Sequence, residues 1–245
     1  MSKSPIVTLL SSIRLTAHLP PHSWYIVSSV TLSVLNRPEE IPHVFQYALE
    51  KDGGSTQKQL DIARRMREAL VKSAAIAGLP KSINALYALK RATPHALLDK
   101  PLGYSPTGRS VELYDVPSSK IMERGQAFFD QIYGKVSKRV MGQMDQSGTE
   151  DLGITARLMY GYILSNTNVL SPVESSFVLL AGLIPQDVNP QLKGHLKGAI
   201  NNGATVEEVR AVRNVIVCLC EASGMTRSDE NASGGWGWRG EIANL

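Results

Sequence analysis

Apolar residues recur at helical spacing along most of the chain, and no convincing period-two alternation appears, so the pattern predicts an all-α protein. The best-marked stretch runs from Leu170 to Met225 and divides into three helices. Ser171 stands as N-cap of the first, Pro172 suits its first turn, and Glu174 lies where the acid of a capping box belongs. The apolar run Phe177 to Ile184 carries this helix inward until Pro185 stops it. The second helix runs from about Asn189 to Asn201, and Asn202-Gly203 is its left-handed stop. Leu192, His195, Leu196 and Ala199 share one face of it, which turns His195 toward the core. The third opens on Thr205 with Glu208 as a second capping box. Val206, Val209, Val212, Val215, Ile216 and Leu219 form its apolar stripe.

Earlier segments follow the same logic. Trp24 to Leu35 is apolar enough to be a buried helix. Further helices are predicted from Pro42 to Glu50, from about Thr56 to Ala77, from Lys81 to Arg91, from a Ser118 cap to about Tyr133, and from Asp151 to Leu164. On the longest, Leu60, Ala63, Met66, Leu70, Val71 and Ala74 share a face. Asp52-Gly53-Gly54, Gly78-Leu79-Pro80 and Thr93-Pro94 punctuate them. Val136 to Ser147 is basic and carries methionines. Residues 99–119, rich in Pro, Gly and Ser, read as a linker or surface excursion. One helical domain over 1–225 accommodates these elements, with a Gly- and Ser-rich flexible tail, 226–245, from which Trp236 and Trp238 dock. Glu68 to Thr93 echoes Glu174 to Asn201, which suggests two related helical halves, 56–98 and 150–225; chance similarity of two helical hairpins is the alternative. Aligning Glu68 with Glu174 sets Leu89 opposite His195, give or take one residue.

Composition narrows the function classes. The 245 residues are 43% hydrophobic and 20% charged, enough for a sizeable core. A formal charge of +4 from scattered basic residues, with 6% aromatics, argues against nucleic acid. No apolar run reaches the length of a membrane span. Cys218 and Cys220 project about 200° apart on a helix, so they read as reduced thiols, at least one of them in the core. The first acid is Glu39; Lys3, Arg14 and Arg37 precede it among many Ser and Thr. That is acid-poor like a transit peptide but not Arg-rich, and the dense apolar face favours folded structure. His18 and His22 flank the helix-breaking Pro20-Pro21 and are not a helical metal pair. No acid or histidine cluster has ligand spacing and no phosphate-binding glycine loop is present, so neither metal nor cofactor is expected.

The chemistry falls on Glu174 and His195, 21 positions apart (195 − 174) on consecutive helices. A histidine oriented by a carboxylate is a general acid or base near neutral pH. Such a pair could protonate the carbanion or enolate left by loss of carbon dioxide, or move a proton beside a carbonyl. The structural alternative is that Glu174 only caps its helix and His195 is a satisfied core histidine. Arg157, Tyr160 and Tyr162 on the preceding helix are within possible reach, with packing the safer reading of the tyrosines.

From Leu170 onward the chain resembles the carboxymuconolactone decarboxylase and alkyl hydroperoxidase D superfamily. The resemblance is carried by Glu174 and by QLKGHLKGAINNGATVEEV, that is His195, Ala199, Asn202-Gly203 and Thr205 to Glu208. NRPEEIPHVFQYALE and REALVKSAAIAGLPKSINALYALKRATP resemble its fungal branch, some members of which are peroxisomal. Together the resemblance spans most of 24–225 and implies a helical bundle of the alkyl hydroperoxidase D-like type, a homo-oligomer and a small-molecule substrate. Hydroperoxidase members carry Cys-x-x-Cys where this chain has Val188 and Gln191, so a dithiol mechanism has no nucleophile here. Decarboxylase members usually place an arginine where Val173 stands, and arginine is the natural bidentate partner of a carboxylate. The expected function is a cofactor-free decarboxylase, or a related lyase or isomerase, acting on a small carbonyl acid or lactone through Glu174 and His195. Alternatives are a non-catalytic oligomeric scaffold or binding protein that retains the fold and, less favoured, a peroxide-linked antioxidant protein. The final Ala243, Asn244 and Leu245 resemble a variant of the peroxisomal address Ser-Lys-Leu, which adds an import receptor as partner and the peroxisome as compartment. Mitochondrial and cytoplasmic locations are the alternatives.

Overall fold

The computed structural model describes residues 5–99 and 104–225, and every regular element among them is helical. In chain order these are α1 (Pro5–Arg14), α2 (Ser23–Val34), α3 (Ile41–Asp52), α4 (Thr56–Ala77), α5 (Leu79–Ala92), α6 (Arg109–Asp115), α7 (Ser118–Tyr133), α8 (Ser137–Asp145), α9 (Asp151–Leu158), α10 (Pro172–Leu183), α11 (Asn189–Asn201) and α12 (Val206–Ala222). Among the described residues no helix is long and apolar enough to cross a membrane, and no group of three or more His, Cys, Asp or Glu could hold a metal.

Helix α2 is buried along its whole length. A helix that is apolar all round belongs inside, and α3, α4, α5, α10 and α12 surround this one. Its interior hydroxyls bond one turn back: Ser29 Oγ donates to the Tyr25 carbonyl at 2.6 Å and Thr31 Oγ1 to the Val27 carbonyl at 2.9 Å. Helix α10 is its counterpart, buried from Ser175 to Leu183. One core joins them to Ile6 and Leu10 of α1, Phe45 of α3, Met66 of α4, Leu196 of α11 and Ile216 of α12.

A second, smaller cluster joins Phe128, Phe129 and Ile132 of α7 to Met141 of α8, and to Tyr160 and Leu164 of a π turn, Met159–Leu164, that continues α9. Leu179 of α10 belongs to the same cluster and ties it to the main body. The π turn and α7 come within backbone contact: a Cβ at Gly125 would lie 2.6 Å from Gly161 Cα. Alanine at position 125 is therefore expected to cost about 1–3 kcal/mol of stability, the usual range for overpacking. Urea denaturation of Gly125→Ala measures it; an unchanged midpoint would show that the π turn moves aside freely.

The capping boxes of α10 and α12 are both formed, Ser171 with Glu174 and Thr205 with Glu208. Three helices exceed the sequence pattern, among them α8, in the basic stretch 136–147. Helix α1 lies in the acid-poor N-terminal stretch, and α6 lies within the Pro/Gly/Ser-rich segment 99–119. Seven residues are too few for α6 to show a helical period. Pro117, not Ser118, takes the N-cap position of α7, and no side chain caps it. Cys218 is half-buried and Cys220 buried, both free, and burial pushes the Cys220 thiol up to about 12. Trp236, Trp238 and the terminal Ala243, Asn244 and Leu245 lie outside the described residues.

Candidate functional site

Glu174 occupies the first turn of α10 and faces α4. Its Oε2 accepts from the Ser171 amide at 2.9 Å, and its own amide donates to Ser171 Oγ at 3.2 Å. From α4, Arg65 Nη1 donates to Oε2 at 3.4 Å and Nη2 makes a close contact with Oε1. The remaining Arg65 donor, Nε, reaches the Tyr25 hydroxyl at 2.9 Å. Burial opposes the Arg65 charge, but Tyr25 and Glu174 outweigh it and hold its pKa above the ordinary arginine value. Arg65 thus joins Glu174 of α10 to Tyr25 of α2.

His195 projects from the middle of α11 with Leu192, Leu196 and Ala199, all buried, and is itself 5% exposed. It faces α7, where its Nε2 lies 3.2 Å from the Tyr133 hydroxyl, with the two rings edge to face. Tyr133 stacks on Phe129 and interacts in turn with Tyr160. Burial lowers the His195 pKa to about 4, so the imidazole is neutral near pH 7. Burial also pushes both phenols above their ordinary value.

The two expected site residues therefore point into different layers. The first turn of α10 aims Glu174 at α4, while the middle of α11 aims His195 at α7. Their hydrogen bonds go to Arg65 and Ser171 in one case and to Tyr133 in the other. Arg157 pairs with Asp145 at 2.5 and 2.8 Å and joins neither.

Sequence reasoning missed a buried charge cluster. Glu68 of α4, 3% exposed, is gripped by Arg109 of α6 through Nη1 at 2.7 Å and Nη2 at 2.5 Å. Arg109 also donates to the carbonyls of Tyr162 at 2.9 Å and Ile163 at 3.0 Å. Lys72, fully buried, donates to the carbonyls of Leu164 at 2.6 Å and Asn166 at 2.8 Å. Arg124 of α7 reaches the Gly161 carbonyl at 2.9 Å and pairs with Glu112 at 2.5 and 3.0 Å. Four consecutive carbonyls, 161 to 164, thus accept from cationic side chains. A helix end leaves its last carbonyls without amide donors, and cations suit that end of the dipole. Burial lowers the Lys72 pKa to about 7 despite Glu68, 3.9 Å away. The one sequence signal was the Glu68/Lys72 pair, i and i+4, beside the apolar face of α4.

Four cavities lie elsewhere. A chamber of about 600 Å³ runs between α5 and the segment after it, with Arg67, Leu86, Leu89, Lys90, His95 and Asp99 among its walls. Further clefts measure about 510 Å³ at Pro38 and Arg91, about 390 Å³ at Gly125 and Tyr160, and about 80 Å³ at Glu68 and Arg109. Neither Glu174 nor His195 lines any of these four, whereas Leu89, the position opposite His195 in the internal echo, lines the first.

Two curated relatives cover nearly the whole chain. A Schizosaccharomyces pombe protein named peroxisomal protein 2 is 38% identical over 212 residues, 86% of this chain and 92% of that one. The Saccharomyces cerevisiae protein of the same name is 30% identical over 252 aligned positions, 83% of this chain and 89% of that one. No family model matches the chain, and no solved structure matches it.

Proposed function

The chain belongs to the family of these two yeast proteins and is peroxisomal, and from that premise we propose that it is a non-catalytic binding protein built on a helical fold of the carboxymuconolactone decarboxylase type. The observation that carries this reading is the engagement of both candidate groups. Glu174 is held by Arg65 and the helix cap. His195 is sealed in the core and neutral down to about pH 4. A general acid or base must meet its substrate, and here Glu174 and His195 bond to different helices while the His195 imidazole is buried. The superfamily assignment rests on the motif from Glu174 to Glu208. A homo-oligomer belongs to the same proposal, supported by the exposed apolar side chains Val111, Leu113 and Tyr114 of α6. So does an import receptor that reads Ala243, Asn244 and Leu245.

One observation favours the lyase reading as the second choice. His195 and Tyr133 form a hydrogen-bonded pair, and Tyr160, which interacts with Tyr133, lines the 390 Å³ cleft. The test offers the purified protein a panel of 2-oxo acids and carboxylated lactones and follows carbon dioxide release and substrate loss. The expected result is no turnover above background. Turnover that disappears in both His195→Asn and Tyr133→Phe, with the fold intact, would overturn the binding reading and restore the lyase.

A further inference from the structure

The 600 Å³ chamber has the size of a small-molecule site. Its walls are of two kinds. Leu86, Leu89, Leu98 and Pro106 give an apolar surface, and the rings of Tyr87 and Tyr104 flank it. The polar groups are the cations Arg67 and Lys90, the His95 imidazole and the hydroxyls of Thr93 and Ser105, against the single carboxylate of Asp99.

That carboxylate is already neutralised. Arg64 Nη2 donates to Asp99 Oδ1 at 2.7 Å and Arg67 Nη1 to Oδ2 at 2.7 Å. Burial works against the Asp99 charge, but the two arginines hold its pKa below the ordinary value. Two guanidiniums on one carboxylate leave a net positive charge at this wall. Arg64 also lies over the Tyr104 ring, 5.9 Å from its centroid, and donates to its hydroxyl at 3.3 Å, which fixes that ring beside the opening. The side chains of Lys90 and His95, by contrast, are exposed and form no hydrogen bond or ion pair among the described residues. The chamber therefore joins an apolar body to a cationic wall on which the Lys90 and His95 side chains are open to a ligand. The cationic groups disfavour a positively charged guest, and the leucines leave a small hydrophilic anion without apolar surface to bury.

We propose that this chamber binds a small organic acid with an apolar tail, its carboxylate held by Lys90 and His95 and its tail against Leu86, Leu89 and Leu98. The proposal rests on the binding reading above and names the ligand class of that function. The carboxylate gains charge-assisted hydrogen bonds, and the tail gains burial against the leucines.

The experiment is calorimetric titration of the full chain with sodium octanoate and, separately, with octan-1-ol. Octanoate is expected to bind at one site and the alcohol at least about tenfold more weakly, the equivalent of about 1.4 kcal/mol. The double variant Lys90→Gln/His95→Gln, altered at two exposed positions, is expected to weaken octanoate about tenfold and leave the alcohol unchanged. Leu98→Asp is expected to abolish octanoate binding. Absence of octanoate binding at millimolar concentration, or binding indifferent to both variants, overturns the site. Failure of the functional reading would show differently, as turnover sensitive to His195 and Tyr133 whatever the chamber binds.

Discussion

Replacing Arg109 by methionine is expected to lower the unfolding free energy by about 3–5 kcal/mol, the usual cost of leaving a buried charge without its partner. Methionine keeps most of the side-chain volume, so the loss is one of charge and hydrogen bonds. Glu68 would keep its carboxylate at 3% exposure with Lys72, 3.9 Å away, as its remaining ion-pair partner among the described residues. The Tyr162 and Ile163 carbonyls would lose their arginine donor as well. A domain of ordinary stability has about 5–15 kcal/mol in all, so the variant should approach the limit of folding. Urea denaturation of Arg109→Met and of the double variant Glu68→Gln/Arg109→Met makes the comparison. The double variant should be the more stable of the two, because glutamine removes the stranded charge. An Arg109→Met protein within 1 kcal/mol of the parent would show that the cluster does not hold the π turn.

Acid should destabilise the protein through His195 by about 3 kcal/mol. Its ordinary value of 6.5 falls to about 4 on folding, because burial disfavours the imidazolium. Between these two values the unfolded chain binds more protons at this site than the folded one. Stability from His195 is therefore complete above pH 6.5 and is lost as pH falls through 4. His195→Gln removes the titration while keeping a polar partner for Tyr133. Glu112, held below its ordinary value chiefly by its hydrogen bonds with Arg124, also contributes to acid unfolding, but equally in both proteins. The difference between the two pH–stability curves isolates the histidine. Parallel curves from pH 7 to pH 4 would mean that the folded protein protonates His195 as readily as the unfolded chain does.

Local order was legible in the sequence because local rules set it. Ser171 with Glu174 and Thr205 with Glu208 announce helix starts through residue types three apart, and both boxes are formed. Thr56 and Ala77 bound α4 where Gly78 and Pro80 punctuate the chain. The face of α11 was legible too, since Leu192, His195, Leu196 and Ala199 are all buried. The partner of each face was not. Periodicity says that His195 points inward; it does not say that Tyr133, 62 positions earlier, waits there. Glu174 on the preceding helix looked like the natural companion, but Arg65, 109 positions away, takes it. Arg109 was hidden for a related reason. Its surroundings are rich in Pro, Gly and Ser and suggest a connector, while its function lies in a carboxylate 41 positions upstream.

The seating of α1 bears on how the chain is made. Ile6, Leu10 and Ile13 lie in the same core as Leu219, and α1 packs against α12. Arg14 and Val206 are 192 positions apart (206 − 14), so α1 can pack on α2 and α3 early in synthesis but meets α12 only when most of the described chain has emerged. Until then α2, which is apolar on every side, lacks α10 and α12 as cover. Contacts between such distant segments form late, and the unfinished chain displays sticky surface in the interval. The cover of α2 is therefore completed last, and a prematurely ended chain would be prone to aggregate.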